Sequence, residues 1–172
     1  MTLDIVANGT IHKTPDGYQI VFVRRLNKPI EKVWAAVTIP ERIADWFSEM
    51  RFIPEPRLGA RVELRFAEDP SYAMTDGEVV AFEPPRLFAW TWTGEAEQPS
   101  VVRFELAPDG DGCVLTFSWS GTSDKWLAGS AAGWQVFLDG LEGATEGVRT
   151  PGSMEREQAL RPAYEAQLAA LS

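Results

Sequence analysis

Few side chains in this sequence are of the types that perform nucleophilic or metal-dependent chemistry. His12 is the only histidine and Cys113 the only cysteine. A tetrahedral zinc site needs several such ligands, and the two residues cannot complete one. We therefore predict no bound transition metal, with His12 a surface strand residue. Cys113 has no histidine near it in the sequence and is predicted to be an inert strand thiol rather than a nucleophile.

Acidic side chains are the remaining candidates for acid/base chemistry, which requires a carboxyl group with a tuned pKa next to the substrate. Glu78 is the first candidate because it shares strand parity with Val80 and Phe82 and could face the interior, although a solvated position is favoured. Arg103 and Glu105 are predicted to lie on an outer face. The glycine spacings match neither a phosphate loop nor a dinucleotide fingerprint, so no cofactor is predicted.

Aromatic residues are abundant, with seven tryptophans and nine phenylalanines in 172 residues. Each ring brings a large apolar area that must be covered either by protein or by a ligand. Two interpretations stay open at this point, an aromatic-rich core and the wall of a binding site.

Composition limits the class of protein and its partners. The length of 172 residues fits one domain with a sizeable core. The net charge of −9 disfavours nucleic acid and anionic membranes as partners. The sequence contains no apolar run long enough to span a membrane and no secretory signal at its start, and the single cysteine cannot form an internal disulfide. These features predict a cytoplasmic protein.

The order of apolar periods predicts an α+β fold. Segments 3–13 and 18–26 flank a Pro-Asp-Gly turn and are predicted to form a hairpin. Helical spacing then predicts two short helices, one after Pro29 and one after Pro40 that includes Trp46 and Phe47. Between residues 60 and 121 the period is two, which predicts an antiparallel meander of five strands.

A long amphipathic helix is predicted from Ser123 to Val148. Glycines follow one another along one edge of its apolar face, at positions 129, 133, 140 and 147. Because glycine destabilises a helix interior by about 1 kcal/mol relative to alanine, we expect either close packing on the sheet or space for a ligand. Pro151-Gly152 should end this helix, and a last helix, interrupted or kinked at Pro162, should pack outside it.

Several motifs resemble those of a known family. The stretch PIEKVWAAVT at 29–38, followed by PER at 40–42 and DWF at 45–47, is similar to the opening of START-like proteins of the SRPBCC superfamily. The branch that it resembles most is named after the activator of heat-shock-protein-ninety ATPase. The similarity continues through GEV at 77–79, PPR at 84–86, Gly133-Trp134 and LDGL at 138–141.

The resemblance implies a helix-grip (START/Bet v-like) fold, in which a curved antiparallel sheet wraps around a long C-terminal helix over an apolar pocket. We predict one such domain over residues 1–150 and a C-terminal helical extension over 151–172 packed on it. Many family members carry a histidine where this sequence has Trp119, so no polar role is transferred to that position.

The function predicted is binding of a small apolar or aromatic molecule in a cavity between sheet and helix. Two alternatives remain: a cyclase- or hydrolase-type enzyme acting in the same cavity, and a co-chaperone that contacts a heat-shock ATPase. The resemblance leaves open whether the protein is an enzyme. The predicted ligand-binding residues are Phe66, Trp90, Phe104, Trp119, Trp134, Phe137 and Leu138.

Overall fold

A computed structural model describes residues 6–65, 75–92, 100–122, 126–150 and 152–171. The strands are β1 (Thr10–Thr14), β2 (Gly17–Leu26), β3 (Glu49–Ile53), β4 (Arg61–Arg65), β5 (Thr75–Glu83), β6 (Leu87–Trp92), β7 (Ser100–Asp109) and β8 (Gly112–Thr122). The helices are α1 (Ile30–Thr38), α2 (Pro40–Ile43), α3 (Leu127–Ala144) and α4 (Met154–Ala170).

The strands form one antiparallel sheet in the order β1-β2-β8-β7-β6-β5-β4-β3. Facing positions in neighbouring strands carry large apolar side chains. Phe104 on β7 lies opposite both Phe117 on β8 and Phe88 on β6. Since side chains alternate between faces along a strand, this register collects the rings on the inner face. The predicted α+β helix-grip fold is confirmed.

The two short helices follow β2, as predicted. Helix α1 starts after Pro29, has Glu31 in its first turn and buries Val33 and Val37. The chain is extended at Ile39, as expected before a proline. The indole of Trp46 then donates a 2.8 Å hydrogen bond to the carbonyl oxygen of Ala36. The helix predicted over Trp46 and Phe47 ends at Ile43, so these two rings lie in the turn that follows.

One strand was absent from the sequence prediction. Strand β3 pairs with β4 at the sheet edge and buries Met50 and Phe52, while the alternate residues are exposed. The alternation covers only five residues and stops before Pro54, which made it too short a signal to recognise as a strand. The predicted first strand also differs, since β1 starts at Thr10 rather than at residue 3; residues 1–5 are outside the described ranges.

The long helix is shorter than predicted because of how it ends. Gly147 has φ of +76°, and the Val148 amide donates a hydrogen bond to the Gly143 carbonyl. These two features form a glycine-terminated helix end. Gly147 therefore terminates the helix instead of continuing its glycine edge. At the other end α3 begins at Leu127, and residues 123–125 are outside the described ranges.

Helix α4 buries Leu160 and Tyr164 against α3 and the start of the chain. The helix runs through Pro162 without an interruption, and the alternative, a kink at this residue, stays a prediction. The Tyr164 hydroxyl accepts a 3.0 Å hydrogen bond from the Gly9 amide and donates one to Gln135 Oε1. This network fixes residues 6–9 to both long helices. The domain boundary predicted at residue 150 stays a prediction.

Candidate functional site

An aromatic cluster fills the space between α3 and the inner face of the sheet. Trp134 is at its centre. Its ring centroid lies 4.5 Å from that of Phe117 and 4.8 Å from that of Phe47, with which it is stacked. Contacts of 4.5–7 Å between centroids are the favourable range for aromatic pairs. We call this group the inner cluster; its members are Phe47, Trp90, Trp92, Phe104, Phe117, Trp119, Trp134 and Phe137.

Local structure explains how these rings meet. Trp134 and Phe137 are three residues apart on α3 and so lie on the same side of the helix; their centroids are 5.9 Å apart. Trp90 and Trp92 share one face of β6 because they are two residues apart. Phe47 reaches the cluster from the turn after α2 and contacts rings of both β6 and α3.

The cluster has a buried part and a rim. Trp90, Phe104, Phe117 and Trp134 are buried, whereas Trp92, Trp119 and Phe137 are half-buried. The ring of Trp92 on β6 lies 5.9 Å from the ring of Trp119 on β8, so these two side chains are in contact across the sheet. The rim lies where β6 and β8 approach their C-terminal ends and β7 begins. We call Trp92, Trp119 and Phe137 the aromatic rim.

Polar groups accompany the rim. The indole nitrogen of Trp119 donates a 2.7 Å hydrogen bond to Ser100 Oγ, and this hydroxyl donates to the backbone oxygen of Trp92 at 3.2 Å. The indole N–H of Trp119 is thus satisfied within the protein. The same two hydrogen bonds link Trp119 to the backbone of Trp92 and so align the two tryptophans of the rim.

Most of the predicted ligand-binding residues are brought together. Trp90, Phe104, Trp119, Trp134 and Phe137 belong to the inner cluster, and Leu138 is buried in the same core. Phe66 lies outside the described residues. Where the structure describes them, the rings pack against one another, and the apolar cavity predicted beside them stays a prediction. Sequence reasoning missed Phe47, whose DWF context identified the family without showing the direction of its side chain.

The glycine edge of α3 has a different role from both of those expected. A Cβ atom added to Gly133 would be 3.7 Å from Glu157 Oε1, and one added to Gly129 would be 3.9 Å from the Arg161 guanidinium. Both neighbours belong to α4. A Cβ added to Gly140 would be 3.1 Å from that of Thr150, in the segment joining the helices. The glycines therefore admit α4 and its connection, and they face neither the sheet nor a ligand space.

The remaining chemical candidates lie apart from the cluster. A bulge in β5 between Val79 and Ala81 turns Val79 to the core and Val80 to solvent. Glu78 shares the orientation of Val80 and is exposed, so neither residue faces the interior as the sequence suggested. His12 is exposed and Cys113 buried. Burial raises the pKa of the Cys113 thiol above its ordinary value; nearby Arg25 opposes the shift and Glu31 adds to it.

A polar depression of about 160 Å³ lies on β3 and β4, lined by Glu49, Arg51, Glu63 and Arg65. The Glu63 carboxylate is almost buried and forms ion pairs with Arg51 at 2.6 Å and Arg61 at 3.2 Å. Arg103 and Glu105 pair at 2.9 Å on β7, and both are substantially exposed, as predicted. Within the described ranges, no helix is long and apolar enough to cross a membrane.

Comparison with known proteins identifies the family. The sequence profile described as "Activator of Hsp90 ATPase homolog 1-like protein" matches residues 27–146. A comparison with curated proteins found no match.

Solved structures show the same fold. The crystal structure of CalU16 from Micromonospora echinospora is 27% identical, covers 94% of this chain and 96% of its own, and superposes with a TM-score of 0.72. The protein encoded by gene BPP1335 of Bordetella parapertussis is 28% identical over 96% of this chain and 94% of its own, with a TM-score of 0.69.

DynU16, a protein of the dynemicin biosynthetic locus, is 26% identical over 76% of this chain and 48% of its own, with a TM-score of 0.65. Together with the profile match over most of the chain, these structures show that the protein belongs to the family of Activator of Hsp90 ATPase homolog 1-like proteins, within the SRPBCC superfamily.

Proposed function

We propose that this protein binds a planar, mainly apolar small molecule at the aromatic rim. The observation that carries the proposal is that Trp92, Trp119 and Phe137 are half-buried members of a continuous aromatic cluster. A planar ligand gains by stacking on such rings and by removing their remaining apolar surface from water. Membership of the family suggests a ligand-binding or cyclase-like domain, and the place of DynU16 in a biosynthetic locus also favours a small organic ligand.

Binding is favoured over catalysis by the chemistry next to the rim. Acid/base catalysis requires a carboxyl group close to the substrate, and Glu78, the carboxylate singled out from the sequence, is exposed. The hydroxyl of Ser100 is hydrogen-bonded to Trp119 and Trp92 and has no base among these partners. Within the residues that the structure describes, these groups give the rim stacking surfaces and orienting hydrogen bonds rather than a reactive group.

A pair of phenylalanine variants tests the proposal. Phe137→Ala removes a ring of the rim but leaves all seven tryptophans as reporters. Phe82→Ala is the matched control, because Phe82 is also half-buried and also contacts a tryptophan, Trp34, at 5.5 Å. Phe82 pairs with Phe88, which precedes Trp92 by four residues on β6. Phe88 is therefore roughly 13 Å from Trp92 along the strand, and Phe82 lies away from the rim.

The measurement is quenching of tryptophan fluorescence by bicyclic and tricyclic aromatic compounds, with urea unfolding as a check on folding. We expect Phe137→Ala to weaken binding about threefold to tenfold, since an aromatic pair contributes about 0.5–1.5 kcal/mol beyond area burial. Phe82→Ala should bind like the wild type. Equal weakening in both variants, or a wild type that binds none of the compounds, would contradict the proposal.

A further inference from the structure

Ser48 is a buried polar residue whose side chain has no partner. It is 6% exposed, and within the described part of the protein its Oγ atom is the buried side-chain polar atom without a hydrogen bond. Leaving a hydroxyl buried and unbonded costs roughly 1–3 kcal/mol. Native proteins therefore rarely contain such a group unless a bound water, ion or ligand satisfies it.

The position of Ser48 links it to the inner cluster. Ser48 directly follows Phe47, whose ring contacts Trp134, Trp92 and Phe137. It also directly precedes β3, in which Met50 and Phe52 are buried. The chain therefore passes from the inner cluster into β3 through two consecutive buried residues, Phe47 and Ser48.

The end of the sheet where Ser48 lies is also the end that carries the aromatic rim. Glu49, the next residue, pairs with Arg65 at the C-terminal end of β4. Trp92 ends β6 and pairs with Ser100, the first residue of β7. In an antiparallel sheet, the start of one strand and the end of its neighbour lie at the same end of the sheet. Ser48 therefore lies at the same end of the sheet as the rim.

Ser100, whose hydroxyl lies beside the rim, is already hydrogen-bonded within the protein. Ser100 Oγ receives the indole N–H of Trp119 and donates its own hydrogen to the Trp92 carbonyl. A ligand that approached Ser100 would have to compete with these bonds. Ser48 can donate its hydrogen without breaking any bond of the protein.

We infer that the Ser48 hydroxyl is the hydrogen-bonding anchor of this site and that the ligand is a planar aromatic compound carrying a carbonyl oxygen. The inference rests on the proposed function and makes it more specific. The rings supply stacking that is insensitive to substituents, whereas one buried hydroxyl donor distinguishes a ligand with an acceptor from one without. Ser48 is thus a specificity-determining residue.

The test uses two tricyclic probes of nearly equal shape, fluorene and 9-fluorenone, which differ by one carbonyl oxygen. Equilibrium dialysis gives the dissociation constant of each probe for the wild type and for Ser48→Ala. We expect the variant to bind 9-fluorenone about twofold to tenfold more weakly, which is the effect of one net hydrogen bond. Its affinity for fluorene should stay within about twofold of that of the wild type.

Ser118→Ala is the matched control, because Ser118 is another buried serine but has strand parity opposite to Phe117 and Trp119. Its two affinities should equal those of the wild type. A second readout is stability: Ser48→Ala removes no protein hydrogen bond, so its urea midpoint should not fall.

The outcomes separate the two proposals. If neither probe binds the wild type, the proposed function fails and the inference fails with it. If both probes bind but Ser48→Ala weakens them equally, or changes neither, then the hydroxyl does not recognise the carbonyl oxygen and only the inference is overturned.

Discussion

Replacing Gly133 by alanine should stabilise the protein, because the structure places this glycine against α4 and not above the sheet. The added Cβ atom would be 3.7 Å from Glu157 Oε1 and 3.8 Å from its carboxyl carbon, which are ordinary van der Waals distances. The position is inside α3 and half-buried. With no steric conflict, the change in helix propensity determines the sign of the effect.

The expected gain is about 1 kcal/mol, the difference between glycine and alanine in a helix interior. For a chain of this length that corresponds to a rise in Tm of roughly 2–4 °C. Urea unfolding followed by tryptophan fluorescence should show a higher midpoint with an unchanged slope. Ligand affinity should not change, since Gly133 does not face the inner cluster.

Gly77→Ala provides the contrasting substitution. Its Cβ atom would be 2.0 Å from the backbone oxygen of Thr91 on the neighbouring strand, and a backbone atom cannot move aside cheaply. We expect this variant to lose about 1–3 kcal/mol or to fail to fold. If Gly133→Ala is destabilised, or if it weakens an aromatic ligand, then the glycine edge borders a tight interior or a ligand space and our assignment of it to α4 is wrong.

Two further predictions concern buried groups outside the rim. Tyr164→Phe should lower the unfolding free energy by about 1–3 kcal/mol, because it leaves the Gly9 amide without its acceptor in a buried setting; a urea midpoint equal to that of the wild type would show that solvent replaces the hydroxyl. Cys113 should resist a thiol-specific reagent at pH 8 until urea unfolds the protein, since it is buried and burial raises its pKa. Because the folded thiol holds its proton more tightly than the unfolded one, its contribution to stability is complete below the unfolded pKa. That contribution declines as the pH rises towards the folded pKa, and a urea midpoint that increases over this range would contradict it.

Sequence periodicity determined most of the elements and their order. The two-residue alternation from Val62 to Trp119 and the helical spacing around Trp134 are local patterns, and each follows from the repeat of its secondary structure. The helix-grip arrangement then followed from the motif at residues 29–47 and its resemblance to a family. The ring-bearing residues were also evident, since a large apolar side chain at an inward position has few alternatives to burial.

Tertiary structure alone decided which surfaces these elements share. A helix with apolar residues around much of its circumference can meet a sheet on one side and another helix on the other, and periodicity does not say which partner lies where. Only the fold shows that Gly129 and Gly133 admit α4, and that Phe47 reaches Trp134 from a turn. The same limit applied to β5, where a bulge between Val79 and Ala81 placed Val80 on the opposite face from Phe82, although the two are two residues apart. The unbonded state of the Ser48 hydroxyl, finally, depends on what surrounds that atom in space, and no pattern of residue types along the chain records it.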